Sequence, residues 1–155
     1  MNALQNVLLT KAPFAKPENI IQQIPVDKAT LHLDHVSHSL YEELWHIDYW
    51  MQFSLALIRG ENPVVPAHSA ESFPSDNAAL SEAAWQKLVE QVLEGLNTLA
   101  VMSQNQTELE RKFDAEKTVG DELIIIAAHN AYHFGRMVML RQLLGIWSLD
   151  LGDTW

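Results

Sequence analysis

The sequence predicts an all-α protein, folded as one antiparallel bundle of three long helices and a shorter N-terminal one. Three observations support this prediction. The 155 residues are enough for a single domain, residues 1–155, with a core of its own. None of the 6 prolines lies after Pro74, which leaves long stretches open to helix formation. Apolar residues recur at three- and four-residue spacing, and no segment alternates with period two for long enough to form a sheet.

The N-terminal region, residues 1–38, is predicted to be largely irregular. A short helix is expected near Pro17–Gln23, because proline is favoured at the first position of a helix. Pro25 then interrupts this helix, since proline cannot supply the backbone N–H that a helix interior needs.

The first long helix is predicted to begin after Ser39, which is a good N-cap. Glu42, three residues later, completes a capping box. The helix continues through LYEELWHIDYWMQFSLALI and ends at Gly60, because glycine is favoured just beyond a helix end. Residues 61–77 are rich in proline and end in the turn-forming run SDN, so they predict a loop with a turn or a helix cap at its end.

A second long helix is predicted from about Ala78 to Met102. Residues 103–117 are polar and predict a solvated link, with room for an extended or short helical piece. Thr118 can cap the last helix, with Asp121 three residues later, and this helix reaches about Leu144. The positions predicted to form the apolar stripe of the second helix are Leu80, Ala84, Leu88, Val92, Leu96 and Leu99 or Ala100.

Charge and composition exclude several kinds of function. The formal net charge is −10 and no basic cluster occurs, so nucleic acids and anionic membranes are unlikely partners. The chain has no cysteine, which removes disulfides, thiolate zinc sites and a cysteine nucleophile, and is compatible with a reducing cytoplasm. No targeting segment is evident, and the longest strongly apolar run, Leu123 to Ala128, is far shorter than a membrane span. We therefore expect a soluble cytoplasmic protein.

Four of the 7 histidines are interpreted as loop residues. His32, His35 and His38 have a spacing that would align metal ligands on a helix, but they precede the Ser39 cap. We therefore favour a polar entry loop with exposed histidines over a metal cluster there. His38 lies directly before the capped helix and could stand at the mouth of a site. His68 lies among prolines and serines and is expected at the surface.

The other three histidines fall on apolar helix faces. His46 shares one face with Trp50, Phe53 and Leu57, at offsets of four, seven and eleven residues. His129 and His133 lie one helical turn apart on the stripe of the last helix. The apolar members of that stripe are Leu123, Ile126, Met137, Leu140 and Leu144.

Two histidines at i and i+4 can converge on one metal ion, although this spacing alone is a weak signal. Adding His46 on a facing stripe strengthens the hypothesis, because three nitrogen donors then point into one core. Three neutral imidazoles suit Zn²⁺, Ni²⁺, Fe²⁺ or similar ions and leave a position open for substrate. The alternative interpretation is that these histidines are core residues, each satisfied by a carbonyl or carboxylate.

Several polar and aromatic side chains near the histidines are candidates for supporting roles. Glu43 precedes His46 by three residues and is the candidate general base if the reaction is a hydrolysis; the alternative is a solvent-facing helix residue, which we favour slightly. Tyr49, Asn130, Tyr132 and the nearby carboxylates are candidates to hold the outer ring nitrogens of the histidines. The aromatic residues Trp45, Tyr49 and Trp50 are interpreted mainly as core, although one of them could line a substrate pocket.

Three sequence blocks resemble a known family. LYEELWHIDYWMQF and the run HSLYEELWH that leads into it are similar to the second helix of the DinB-like (damage-inducible) family, and AAHNAYHFGRMVMLRQLLGIW is similar to its closing helix motif. The resemblance implies a four-helix up-down-down-up bundle and a divalent metal held by His46, His129 and His133. Arg136 stands where many relatives carry glutamine, so no role of that glutamine is carried over.

The resemblance also implies a range of functions. Some members of the family are thiol-dependent S-transferases or isomerases, so this chain is expected to act on a small electrophile with a low-molecular-weight thiol. The alternatives are a metal-dependent hydrolase that uses metal-bound hydroxide, and a non-catalytic bundle that binds a metal or a small molecule. Zinc or nickel is the expected metal, before iron or manganese, and the resemblance makes a homodimer plausible.

Overall fold

The computed structural model describes residues 3–9, 15–74, 80–148 and 150, with the side chain of Leu9 left out. In these segments the chain forms helices and no β-strand, so the predicted all-α class is confirmed. The only pairing of strand type among them is an isolated antiparallel bridge between Lys112 and Thr118. None of the described helices is both long and apolar enough to cross a membrane.

The three predicted long helices are present, together with four short ones in the described segments. The helices are α1 (Ala3–Leu9), α2 (Pro17–Ile21), α3 (Val26–Ala29), α4 (Leu40–Ile58), α5 (Glu82–Met102), α6 (Gln106–Glu110) and α7 (Val119–Leu143), with a 3₁₀ turn at Ser69–Ser72. Helix α4 packs against both α5 and α7. The N-terminal helix α1 also packs against α5 and α7.

Helices α4 and α7 run antiparallel, as two contacts between them show. Ser54, late in α4, donates a hydrogen bond to Glu122 at the start of α7. Glu43, early in α4, contacts His133 near the middle of α7. The order of the contacts is therefore reversed along the two helices, and the middle of α7 faces the first half of α4.

The predicted ends of α4 and α7 are confirmed. Ser39 and Glu42 form a reciprocal capping box at the start of α4, and Thr118 and Asp121 form another at the start of α7. In both boxes the side chain of the capping residue accepts a backbone N–H of the first turn, which would otherwise be unpaired. Helix α4 is followed by Gly60 with a φ of +79°, a conformation that glycine adopts without strain.

The predicted start and stripe of α5 need correction. Helix α5 begins at Glu82, capped by Ser81, and not at about Ala78, which lies with the predicted SDN turn outside the described residues. Ala84 is exposed, and Trp85 is buried in its place. Later positions of the predicted stripe are buried as expected; they are Leu88, Val92, Leu96, Leu99 and Ala100.

The N-terminal region is more regular than predicted. The short helix at Pro17 is confirmed as α2, but α1 and α3 also lie in a region that we expected to be irregular. The indole N–H of Trp85 donates to the carbonyl oxygen of Ile24 at 3.1 Å, which holds the segment between α2 and α3 against α5. Tertiary contacts of this kind stabilise short helices that would not form alone in water.

Candidate metal centre

The three predicted ligand histidines meet between α4 and α7. His46 comes from α4, and His129 and His133 come from successive turns of α7. One ring nitrogen from each lies within 4.8 Å of the other two, and the Nε2 atoms of His46 and His129 are 3.2 Å apart. His46 and His133 are both only 7% exposed, and His129 is half-buried.

The outer ring nitrogen of each histidine is held by an oxygen atom. The Nδ1 of His46 lies 2.9 Å from the carbonyl oxygen of Ser72, and that of His133 lies 2.7 Å from Oε2 of Glu43. The Nδ1 of His129 lies 3.3 Å from Oδ1 of Asn130. Carbonyl, carboxylate and amide oxygens only accept hydrogen bonds. In a neutral ring whose Nδ1 donates to such an oxygen, Nε2 is left with the lone pair that a metal ion can accept.

This arrangement fits a metal ion better than it fits ordinary core packing. With Nδ1 protonated, the facing Nε2 atoms of His46 and His129 both carry lone pairs and repel each other unless a cation lies between them. Two nitrogens that each lie ~2.0–2.1 Å from one tetrahedral ion are about 3.3 Å apart, close to the observed 3.2 Å. Three neutral imidazoles thus form a donor set suited to a divalent ion with an open position.

Burial favours the neutral form of two of the three histidines. The pKa of His46 is lowered to about 4, mainly because burial disfavours the imidazolium form. Burial also lowers the pKa of His129. A metal competes with a proton for the same lone pair, so a histidine that is neutral at physiological pH is ready to bind an ion.

Glu43 is fully buried at 0% exposure, and the interpretation of this residue as solvent-facing is wrong. Its Oε2 accepts from His133 and its Oε1 forms an ion pair with Arg136. Burial by itself raises the pKa of Glu43, but the hydrogen bonds from His133 and Arg136 outweigh it and hold the pKa below its ordinary value. Because both oxygens are engaged, the structure places this carboxylate as a support of His133.

His46 is the innermost member of a stack of three rings. The ring of Phe73 lies 4.1 Å from that of His46 and 3.9 Å from that of His38, nearly parallel to both. His38 thus lies one ring away from the centre, as expected for a residue at the mouth of a site. His32, His35 and His68 are exposed, as the loop interpretation predicted.

The predicted aromatic neighbours lie around the centre but do not all contact it. Trp50 packs edge-on against both His46 and His129, and Tyr132 packs edge-on against His133. Tyr49 contacts Trp45 and Trp50 instead of a histidine. Of the candidates to hold an outer ring nitrogen, Asn130 and the carboxylate Glu43 do so among the described residues.

The predicted apolar face around His46 is only partly correct. Trp50, Phe53 and Leu57 are half-buried, whereas the fully buried side of α4 lies further round the helix; its members include Leu44, Ile47 and Met51. A cavity of about 510 Å³ opens on the outer side of α4 and is lined by residues that include Trp45, Tyr49 and Phe53. Phe53 packs on Trp50, and Trp50 contacts His46. The ring of Trp50 therefore lies between this wall of the cavity and the histidine.

Sequence reasoning missed Ser72 and Phe73. Both come from the proline-rich segment between α4 and α5, in or directly after the 3₁₀ turn Ser69–Ser72. Ser72 lies 26 residues from His46 in the chain, and both its backbone oxygen and its hydroxyl oxygen lie within hydrogen-bond distance of His46 Nδ1. No local pattern in the sequence could have identified a partner so far away in the chain.

Comparison with known proteins agrees with the sequence blocks that suggested a family. The family model described as the DinB superfamily matches residues 14–137. This match spans α2 to α7 and includes all three histidines of the centre. Neither the curated proteins nor the solved structures that were compared with the chain gave a match.

Proposed function

Because the chain belongs to the DinB superfamily, we propose that it is a metal-dependent enzyme. Its ligands are His46, His129 and His133, and its ion is Zn²⁺ or Ni²⁺, before Fe²⁺ or Mn²⁺. The proposed reaction is transfer of a low-molecular-weight thiol to a small electrophile. One observation carries the proposal: one ring nitrogen from each of three buried or half-buried imidazoles lies within 4.8 Å of the other two, while an oxygen lies at each Nδ1.

The residues of the centre have separable roles in this proposal. A divalent ion, when bound, supplies Lewis acidity that lowers the pKa of a coordinated thiol or water. Ser72, Asn130 and Glu43 fix the tautomers of the three histidines. Phe73 and Trp50 cover His46 with apolar surface, which lowers the local polarity and strengthens electrostatic interactions at the centre.

The nucleophile in this reaction comes from the thiol substrate, since the chain has no cysteine. The sulfur donates an electron pair to the electrophilic carbon and forms a C–S bond. The leaving group departs with the electrons of the bond that breaks, and the proton of the thiol passes to the leaving group or to solvent. Atoms and charge balance without an oxidant or reductant.

Hydrolysis is the second candidate reaction, and a non-catalytic metal or small-molecule binder is the third candidate function. A hydrolase needs a general base beside the attacking water. Glu43, the candidate base, is engaged by His133 and Arg136, which disfavours that role. A purely structural metal site closes its coordination with protein ligands, and the three histidines leave at least one position of a tetrahedral ion open.

Parallel assays of the metal-loaded protein distinguish these functions. A panel of low-molecular-weight thiols with a chromogenic aryl halide tests transfer, and chromogenic esters test hydrolysis. We expect thiol transfer that is lost after removal of the metal and in the His46→Ala variant. Hydrolysis without transfer would support the second candidate. A metal-loaded protein inactive in both panels would support the non-catalytic binder.

A further inference from the structure

Glu43 joins the two helices that carry the metal ligands. It lies on α4, one turn before His46, and its side chain reaches across to α7. There, its Oε2 accepts from Nδ1 of His133 at 2.7 Å. Its Oε1 lies 2.8 Å from Nε and 2.7 Å from Nη2 of Arg136. These two nitrogens of Arg136 thus both contact Oε1 and leave Oε2 for the histidine.

The partner of His133 differs in kind from those of the other two histidines. His46 and His129 donate to neutral oxygens, a backbone carbonyl and an amide. His133 donates to a carboxylate, and a hydrogen bond to an ionised acceptor is shorter and roughly twice as strong. A carboxylate on the outer nitrogen orients the imidazole and makes its inner nitrogen a stronger donor to a metal.

Arg136 has no contact with a histidine ring among the described contacts, so any effect on the metal must pass through Glu43. Its side chain is 33% exposed, whereas that of Glu43 is fully buried. The phenol oxygen of Tyr132 lies 3.4 Å from Nη1 of Arg136 and holds the far side of the guanidinium. The guanidinium therefore holds Oε1 of the carboxylate from the solvent side.

We propose that Arg136 and Glu43 are positioning residues for the metal ligand His133. Arg136 fixes the carboxylate of Glu43, and Glu43 fixes the imidazole with Nδ1 protonated and Nε2 directed at the ion. This inference rests on the proposed metal site, and it adds two residues that bind no metal themselves but set how strongly one ligand binds it.

The first experiment uses the metal-free protein and histidine-selective ¹H–¹⁵N NMR. In the wild type, we expect His133 to show a protonated Nδ1 and an unprotonated Nε2. Glu43→Gln should change this signal, because an amide has a single oxygen, whereas His133 and Arg136 each contact a different oxygen of the carboxylate. Arg136→Gln should shift the Nδ1–H resonance of His133, because the carboxylate loses the cation that holds its Oε1.

A matched control is Glu122→Gln. Glu122 is another buried carboxylate between α4 and α7, 5% exposed, and it accepts from Ser54 at 2.6 Å. A glutamine oxygen can accept that bond, and no histidine is involved. We therefore expect the His133 signal of this variant to match the wild type. If Glu43→Gln and Arg136→Gln also match it, the positioning role is wrong and the ion pair is only structural.

The second experiment measures Zn²⁺ affinity by competition with a chromophoric chelator, and the absorption of bound Co²⁺. Loss of such an outer partner costs 10–100-fold in metal affinity, and we expect this for Glu43→Gln, with a changed Co²⁺ spectrum. Arg136→Gln should weaken Zn²⁺ binding several-fold, and Arg136→Lys should fall in between. Tighter binding by Arg136→Gln would overturn the proposal, since Arg136 would then act only by repelling the cation.

The two experiments separate failure of this inference from failure of the proposed function. If the wild type binds none of Zn²⁺, Ni²⁺, Fe²⁺, Mn²⁺ and Co²⁺, the metal-dependent function is wrong, and the NMR comparison alone decides the positioning role. If Glu43→Gln does not fold, Arg136→Gln and Arg136→Lys, at a position that is 33% exposed, can be measured by NMR and by metal affinity instead.

Discussion

Arg141 is a buried cation whose two terminal nitrogens donate to backbone oxygens and not to a carboxylate. It is 1% exposed. Its Nη1 donates to the carbonyl oxygens of Asn19, Ile20 and Gln22, and its Nη2 donates to that of Ile146. The first three belong to the end of α2, where carbonyl groups lack helical partners and a positive charge is favoured. Arg141 therefore fastens the N-terminal segment to α7.

Arg141→Met tests this role. Methionine keeps an apolar stem of similar length but leaves four carbonyl groups without their donor, so we expect a loss of about 3 kcal/mol in the free energy of unfolding. Urea unfolding measures the loss. Arg59→Met is the control, because Arg59 pairs with Glu61 at the surface and exposed pairs contribute little. An Arg141 variant no less stable than the control would contradict the assigned role.

At the scale of residues, the sequence predicted the three histidines of the centre but only part of what holds them. A histidine stands out on a helix face that is otherwise apolar, and His46, His129 and His133 were identified in that way. The partners of their Nδ1 atoms depend on tertiary placement. Glu43 looked like a surface residue because only the approach of α7 buries it, and Ser72 lies 26 residues from His46 in the chain.

Helix ends are the elements that local chemistry determines most strongly. The two capping boxes were predicted from four side chains, and both are present with short contacts; the Ser39 backbone N–H, for example, donates to Glu42 at 2.6 Å. The start of α5 was misplaced because the SDN run and Ser81 offer competing caps. Helix α1 was missed because it is short and its partners, α5 and α7, lie far away in the sequence.

Removal of a capping side chain tests the contribution of these boxes. We expect Ser39→Ala and Thr118→Ala each to lower the free energy of unfolding by about 1 kcal/mol, because a backbone N–H of the first turn loses its acceptor. Thermal or urea unfolding measures the change. Ser37→Ala is the control, since Ser37 is exposed and precedes the helix. If the capping variants behave like this control, the boxes do not stabilise their helices.

At the scale of the molecule, the antiparallel packing of α4 and α7 is what creates the centre. His46 and His129 are 83 residues apart in the chain, and no local pattern specifies that they meet. The general bundle followed from helix lengths and spacing, and the family resemblance supplied the pairing of helices. The full up-down-down-up order of four helices remains a prediction from that resemblance.

The homodimer is also a prediction, and the outer face of α7 is where we expect it to form. Apolar side chains on this face are more than half exposed; they are Ile124, Ile125, Tyr132, Met139 and Leu143. A continuous apolar face of this kind marks an interaction surface more often than it marks bare solvent contact. We expect sedimentation velocity to show a dimer that the Ile124→Glu/Met139→Glu variant dissociates. A monomeric wild type at tens of micromolar concentration would contradict this prediction.

The metal content of the protein purified without a histidine tag tests the central claim most directly. The protein is measured beside the His129→Ala/His133→Ala variant, after both have been offered zinc, nickel, iron and manganese. Three converging imidazoles predict about one divalent ion per chain in the wild type and none in the variant. A wild type that holds no metal under these conditions would contradict the account, and the three histidines would then be core residues of a bundle that shares only its fold with a metal enzyme.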